Sequence, residues 1–132
     1  MKHLILALTL CTLLAACHIE TPPQKADGPE EAGREFIRAS LNGNYDRAMF
    51  YLYKDSVKAN EMILNKWKSD YDKLSNADKV NFKEASIVVK SIDKVNDSLS
   101  HFIYSNSYKN IQQTINVVRS NGEWLVDLKE IH

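Results

Sequence analysis

The chain changes its apolar period once, at Ser86, and that change limits what it can fold into. Before it, apolar residues recur at helical spacing; after it, they alternate. Asp27-Gly28-Pro29-Glu30-Glu31 predicts a helix start, with proline at the first helical position and two acids facing the positive end of the dipole. Ala32, Phe36, Ile37 and Leu41 carry that helix on. Asn42-Gly43-Asn44 ends it and caps a second, marked by Tyr45, Ala48, Met49, Leu52 and Tyr53. A third helix is predicted from Ser56 to Leu74, with Ile63, Trp67, Tyr71 and Leu74 on one stripe. Ser75-Asn76-Ala77-Asp78 opens a short fourth through Val80 and Phe82.

Strands follow. Ile87 to Ile92 is β-branched, Leu99 to Tyr108 alternates and is aromatic, and Thr114 to Arg119 alternates again. Asn96-Asp97 and Lys109-Asn110 read as turns, and Asn121-Gly122 is a strong hairpin signal because both residues tolerate positive φ. Trp124, Val126 and Leu128 then alternate with Leu125, Asp127 and Lys129. Helices first and strands after predict an α+β fold, with N-terminal helices packed on one face of an antiparallel four-stranded sheet.

The first 28 residues belong to none of these elements. Met1-Lys2-His3 precedes an apolar run from Leu4 to Leu14, and Ala15-Ala16-Cys17 closes it. A charged start, an apolar core and small residues before a cut site mark an export signal over residues 1–16. As a helix the apolar run reaches about 16 Å, against about 30 Å for a bilayer core, so it is too short for a lasting span. Leu14-Ala15-Ala16-Cys17 resembles the lipobox of bacterial lipoproteins. That resemblance implies a diacylglycerol thioether on Cys17, cleavage before it, and a membrane held through the acyl chains. Each buried methylene contributes about 0.8 kcal/mol, so two or three chains hold almost permanently. Residues 17–28, with adjacent prolines at 22 and 23, are expected to be the lipidated cysteine and a flexible tether. Position 18 is His rather than the Asp of a known inner-membrane retention signal, which favours the outer membrane of a Gram-negative cell.

The chain has 132 residues, enough for one small domain, expected over residues 29–132. Its 17 bases equal its 17 acids, and losing Lys2 with the signal tips the balance to negative. Without a positive surplus it is not expected to bind nucleic acid. Of the two cysteines, Cys11 would leave with the signal and Cys17 would be acylated, so no thiol remains for a disulfide, a metal or nucleophilic catalysis. No metal-spaced cluster, phosphate loop or nucleophile elbow is present, and no cofactor is expected.

Two segments carry a further resemblance. Glu31-Ala32-Gly33-Arg34-Glu35-Phe36-Ile37-Arg38-Ala39-Ser40-Leu41-Asn42-Gly43-Asn44-Tyr45-Asp46-Arg47-Ala48 resembles the opening of the nuclear-transport-factor-2-like superfamily. Ile115 to Leu128 resembles its close. Within the superfamily the chain is similar to short bacterial lipoproteins with an uncharacterised domain, which also show Asp55-Ser56 and Tyr104-Ser105-Asn106-Ser107-Tyr108-Lys109-Asn110. The resemblance implies a cone, in which helices are cradled by a curved sheet, often with a pocket between.

The leading expectation is a membrane-anchored envelope lipoprotein that acts as a non-enzymatic ligand-binding or protein-interaction domain. Tyr53, Trp67, Tyr71, Phe102 and Tyr104 are the candidate lining of a pocket for a small apolar ligand; the same rings can instead simply fill the core. The alternative is a cone-fold enzyme using His101, the domain's one histidine besides the terminal His132, with a pocket carboxylate such as Asp93 or Asp127. A third expectation is pairing with an envelope protein, or as a homodimer, through an open sheet face bearing Tyr104 and Tyr108. Asp55-Ser56-Val57 and Asp97-Ser98-Leu99 match a short bacterial O-glycosylation pattern at predicted turns, making Ser56 and Ser98 candidate acceptors. Lysines 54, 58, 66, 68, 73, 79 and 83 alternate with acids in the helical half, as on a solvated face; an anionic lipid headgroup is the other partner they would suit.

Overall fold

Pro29 opens α1 (Pro29–Leu41) with Glu30 and Glu31 in its first turn and Arg38 in its last, charges that match the helix dipole at both ends. The Glu31 carboxylate also reaches back to accept from the Asp27 backbone N–H at 2.6 Å. The computed structural model describes residues 20–129; the signal segment, Cys17, His18 and His132 lie outside them. Gly43, at φ +73°, turns the chain, and the Asn44 side chain accepts from the Arg47 N–H at 3.0 Å to cap α2 (Tyr45–Phe50).

The third helix starts later than its periodicity predicts. Asp55 to Lys58 forms a turn closed by Lys58 N–H on the Asp55 carbonyl, and Lys58 sits at φ 57°. The Asp55 carboxylate then accepts from the N–H groups of Asn60 and Ala59, both at 3.1 Å, and starts α3 (Ala59–Asp72). Ser75 caps α4 (Asn76–Glu84) through the Asp78 N–H. Arg38 of α1 donates to the carbonyls of Lys83 and Ala85, so it satisfies the last turn of α4.

Four strands follow: β1 (Ile87–Asn96), β2 (Leu99–Asn106), β3 (Gln113–Ser120) and β4 (Glu123–Asp127). They pair in sequence order, all antiparallel, as a four-stranded meander. Asn121 and Gly122 both take positive φ at the β3–β4 turn, as the sequence predicts. The β1–β2 register shifts between Val89 and Ser91 and again between Lys94 and Asn96, and such irregularities bend a strand and increase its twist. The helices pack on the concave face of this curved sheet, the α+β arrangement the residue pattern predicts and the cone the resemblance implies.

Strand alternation decides which side chains meet the helices. Ser100, Phe102, Tyr104 and Asn106 of β2 are buried, as are Ile115 and Val117 of β3 and Val126 of β4. They close on Ala32, Phe36 and Ile37 of α1, Ala48 of α2 and Leu64 of α3. Burying each large apolar side chain contributes about 1.5–3 kcal/mol. The segment after α2 joins the sheet as well. Val126 N–H donates to the Tyr51 carbonyl at 2.7 Å and Tyr53 N–H to the Val126 carbonyl at 2.8 Å, a parallel bridge centred on Leu52.

The described part of the expected tether, residues 20–28, is fastened along the domain rather than hanging from it. Asn44 Nδ2 donates to the Glu20 carboxylate at 2.7 Å, and Arg47 Nη1 to the Thr21 carbonyl at 2.7 Å. The Tyr51 hydroxyl donates to the Gln24 carbonyl at 2.9 Å, and Lys25 pairs with Glu123 at 2.8 Å. Prolines 22 and 23 suit this extended path because they offer no N–H that would need a partner.

Candidate functional site

The wall of α1 that faces the sheet changes along its length. At Gly33 helix and sheet touch. One and two turns on, Ile37, Ser40 and Leu41 stand away from Tyr104 and Asn106 of β2, and a cavity of about 400 Å³ fills the gap. Trp67, Tyr71 and Leu74 of α3 and the segment after it form another wall. Asp70, Lys109, Ile111 and Gln113 form the exposed rim.

The polar groups of this cavity are largely engaged with one another. The Tyr45 hydroxyl donates to the Trp67 carbonyl at 3.3 Å, and the Tyr104 hydroxyl to Gln113 Oε1 at 2.8 Å. Ser40 Oγ returns to the Phe36 carbonyl at 2.9 Å. Burial, then the neighbouring Tyr71, pushes the Tyr45 hydroxyl up to about 12, and burial pushes Tyr104 up as well. Both phenols therefore stay neutral donors at any physiological pH. At the rim, Asp70 is paired with Lys66 at 2.7 Å, which holds its carboxyl below the usual range. The result is an apolar, aromatic recess with satisfied dipoles, suited to holding a ligand by shape and apolar contact.

Trp67, Tyr71 and Tyr104 line this cavity. Phe102 lies beneath it, fully buried against Gly33, with its ring centroid 5.5 Å from that of Tyr104. Tyr53 lies elsewhere, beside β4, with Lys129 Nζ 5.6 Å from its ring centroid. The sequence reading missed Ile37, Ser40 and Leu41, although their spacing along one helix face carries the signal. It also missed Asn106 and Gln113, whose place depends on strand register.

His101 is not part of the cavity. Phe102 and Tyr104 point to the core, so alternation turns His101 to the opposite face of the sheet. There its Nδ1 lies 2.8 Å from Asn116 Oδ1. Asp93 is its cross-strand partner on β1, and Asp127 accepts from Asn60 and from the Lys129 N–H. The expected pairing of His101 with a pocket carboxylate is thus not made. Nor do Tyr104 and Tyr108 mark an open sheet face. Tyr104 points inward, and Tyr108 donates to Asp78 at 2.6 Å and packs edge-on against Phe82. Among the described residues no group of three or more His, Cys, Asp or Glu side chains is placed to hold a metal ion. Ser56 and Ser98 are both exposed and in turns. Cys17 lies outside the described residues.

The architecture is similar to the nuclear-transport-factor-2-like fold. A crystal structure at 1.70 Å resolution of an NTF-2-like protein of unknown function from Shewanella oneidensis MR-1 is similar to this chain, with a TM-score of 0.51 and 13% identity. The match covers 72% of this chain and 88% of that one, and at such identity it speaks for the fold alone. No family model matches the sequence, and no curated protein matches it.

Proposed function

We propose that this chain is a lipid-anchored protein of the cell envelope whose cone binds a small apolar ligand without transforming it. The observation that carries the reading is the 400 Å³ recess lined by Trp67, Tyr71 and Tyr104. That volume lies in the range of sites for small molecules, roughly 300–1,000 Å³. Its wall hydroxyls are neutral and bonded to neighbouring carbonyl oxygens, so they orient a ligand rather than exchange protons with it.

The anchor rests on Leu14-Ala15-Ala16-Cys17. Residue 18 is His, and the outer membrane of a Gram-negative cell is the location that fits. Metabolic labelling with an alkyne fatty acid is expected to mark the wild-type protein and to leave Cys17→Ala unmarked. Labelling of both, or of neither, contradicts the anchor.

Native mass spectrometry of the protein released from its own envelope tests the ligand. A retained apolar adduct, lost when Leu41→Trp narrows the recess, is the expected result; a bare mass contradicts it. The same spectrum reads hexose increments at Ser56 and Ser98, which the exposed turns leave open to a transferase.

A further inference from the structure

The strap of residues 20–28 brings the chain back to the open end of the cone. It leaves the start of α1 at Gly28, crosses Tyr51 at Gln24 and ends on Asn44, beyond the C-terminus of α1. In doing so it runs the length of that 13-residue helix, about 20 Å. Asn44 adjoins Tyr45, which lines the recess, and Gly43, against which the Tyr71 ring of the recess is packed. The strap therefore ends at the same end of α1 as the recess, on the other flank of that helix, where Glu20 and Thr21 lie with Arg38, Asn42 and Arg47. Only three residue steps separate Cys17 from Glu20, a reach of at most about 11 Å.

From this geometry we infer that the anchor holds the open end of the cone against the bilayer, and that the ligand is a single-chain anionic amphiphile of that bilayer. The inference rests on the anchored, ligand-binding reading above and specifies its ligand. A leash of at most about 11 Å keeps that end of α1 at the membrane surface, and the recess at the same end of the helix lies close to the bilayer with it. A recess of about 400 Å³ takes one acyl chain and not a two-chain lipid. The charges around the rim select the headgroup. Asp70 is already neutralised by Lys66. Lys109 lines the opening; Lys79, whose Nζ lies 5.4 Å from the centroid of the lining Tyr71 ring, stands over the outside of that ring and donates to the Asp72 carbonyl at 3.3 Å. A carboxylate or phosphate headgroup would meet the Lys109 ammonium at the rim while its chain enters along Trp67 and Tyr71.

The test uses the full lipidated protein with Trp124→Phe, which leaves Trp67 as its sole tryptophan. It is placed in vesicles of phosphatidylethanolamine and phosphatidylglycerol containing dibromostearic acid, whose bromines quench only at contact range. Trp67 is expected to be quenched strongly by the single-chain probe and weakly by a phospholipid with the same bromines on two chains. Inserting about twelve Gly/Ser residues between positions 19 and 20 lengthens the leash without touching the fold, and is expected to cut the quenching roughly threefold. Arg47→Ala, which frees the strap at Thr21, is expected to act in the same direction. Quenching unchanged by both variants overturns the orientation, and equal quenching by the two-chain probe overturns the ligand class. An unquenched Trp67 in a protein that retains some other apolar adduct overturns this inference and leaves the binding reading standing. An unquenched Trp67 with no adduct overturns both.

Discussion

Gly33 of α1 lies directly on the ring of Phe102 in β2: a methyl group at Gly33 would come within 2.5 Å of Phe102 Cδ2. This contact is the closed end of the wedge between helix and sheet. Phe102 is fully buried. Gly33→Ala gains helix propensity of about 1 kcal/mol but forces the two layers apart. The expected net cost is about 1–3 kcal/mol, as for overpacked cores, read as a lower midpoint in urea. An unchanged or raised midpoint would mean that the layers are not in contact there.

Asn60 is a second fixed point. It is fully buried; its amide donates to the Tyr53 carbonyl at 2.9 Å and to Asp127 at 3.0 Å, and its carbonyl accepts from the Leu128 N–H at 2.7 Å. One side chain thus joins the start of α3 to the end of β4. Asn60→Ala removes the partner of the Tyr53 carbonyl and of the Leu128 N–H, while Asp127 keeps the Lys129 N–H, and a loss of about 1–3 kcal/mol for each buried group left unsatisfied is expected. Hydrogen exchange at the Leu128 amide should rise with it; exchange as slow as in the wild type would contradict the bond.

Acid stability follows from two carboxylates at helix starts, Asp78 of α4 and Asp55 before α3. The Tyr108 hydroxyl, then Ser75, holds the Asp78 carboxyl below its usual 3.8, and the backbone N–H of Asn60 leads the same effect on Asp55. The unfolded chain therefore binds these protons more readily than the native one. Their stabilisation is complete above the unfolded pKa and is lost as pH falls through the lower native values. Asp78→Asn is expected to be less stable than wild type at neutral pH, with the gap narrowing near pH 2.5. A gap that stays constant over that span would contradict the Tyr108–Asp78 bond.

Features set by neighbours in sequence were legible before the fold was known. Asn44 as a cap, the Asn121-Gly122 turn, the Trp67–Tyr71 stripe and the order of helices and strands all depend on a few adjacent residues. What escaped depends on distant ones. Asn60 reads as an ordinary surface residue of a helix, and its burial comes from a strand end 68 positions away. The parity of β2 was visible, but which face met the helices was not, so His101 remained a pocket candidate until Phe102 and Tyr104 were seen to face inward. The strap reads as a linker because its partners, Asn44, Arg47 and Tyr51, act on its backbone or on a single carboxylate rather than on an apolar stripe.

The central claim is that the recess between α1, α3 and β2 is a binding site. Titration of the protein with anilinonaphthalene sulfonate, an apolar anionic fluorophore, tests it most directly. The account predicts one saturable site that weakens at least roughly tenfold, a difference of about 1.4 kcal/mol, in Leu41→Trp, with the thermal midpoint unchanged. Absence of saturable binding, or binding undiminished by Leu41→Trp, would contradict it.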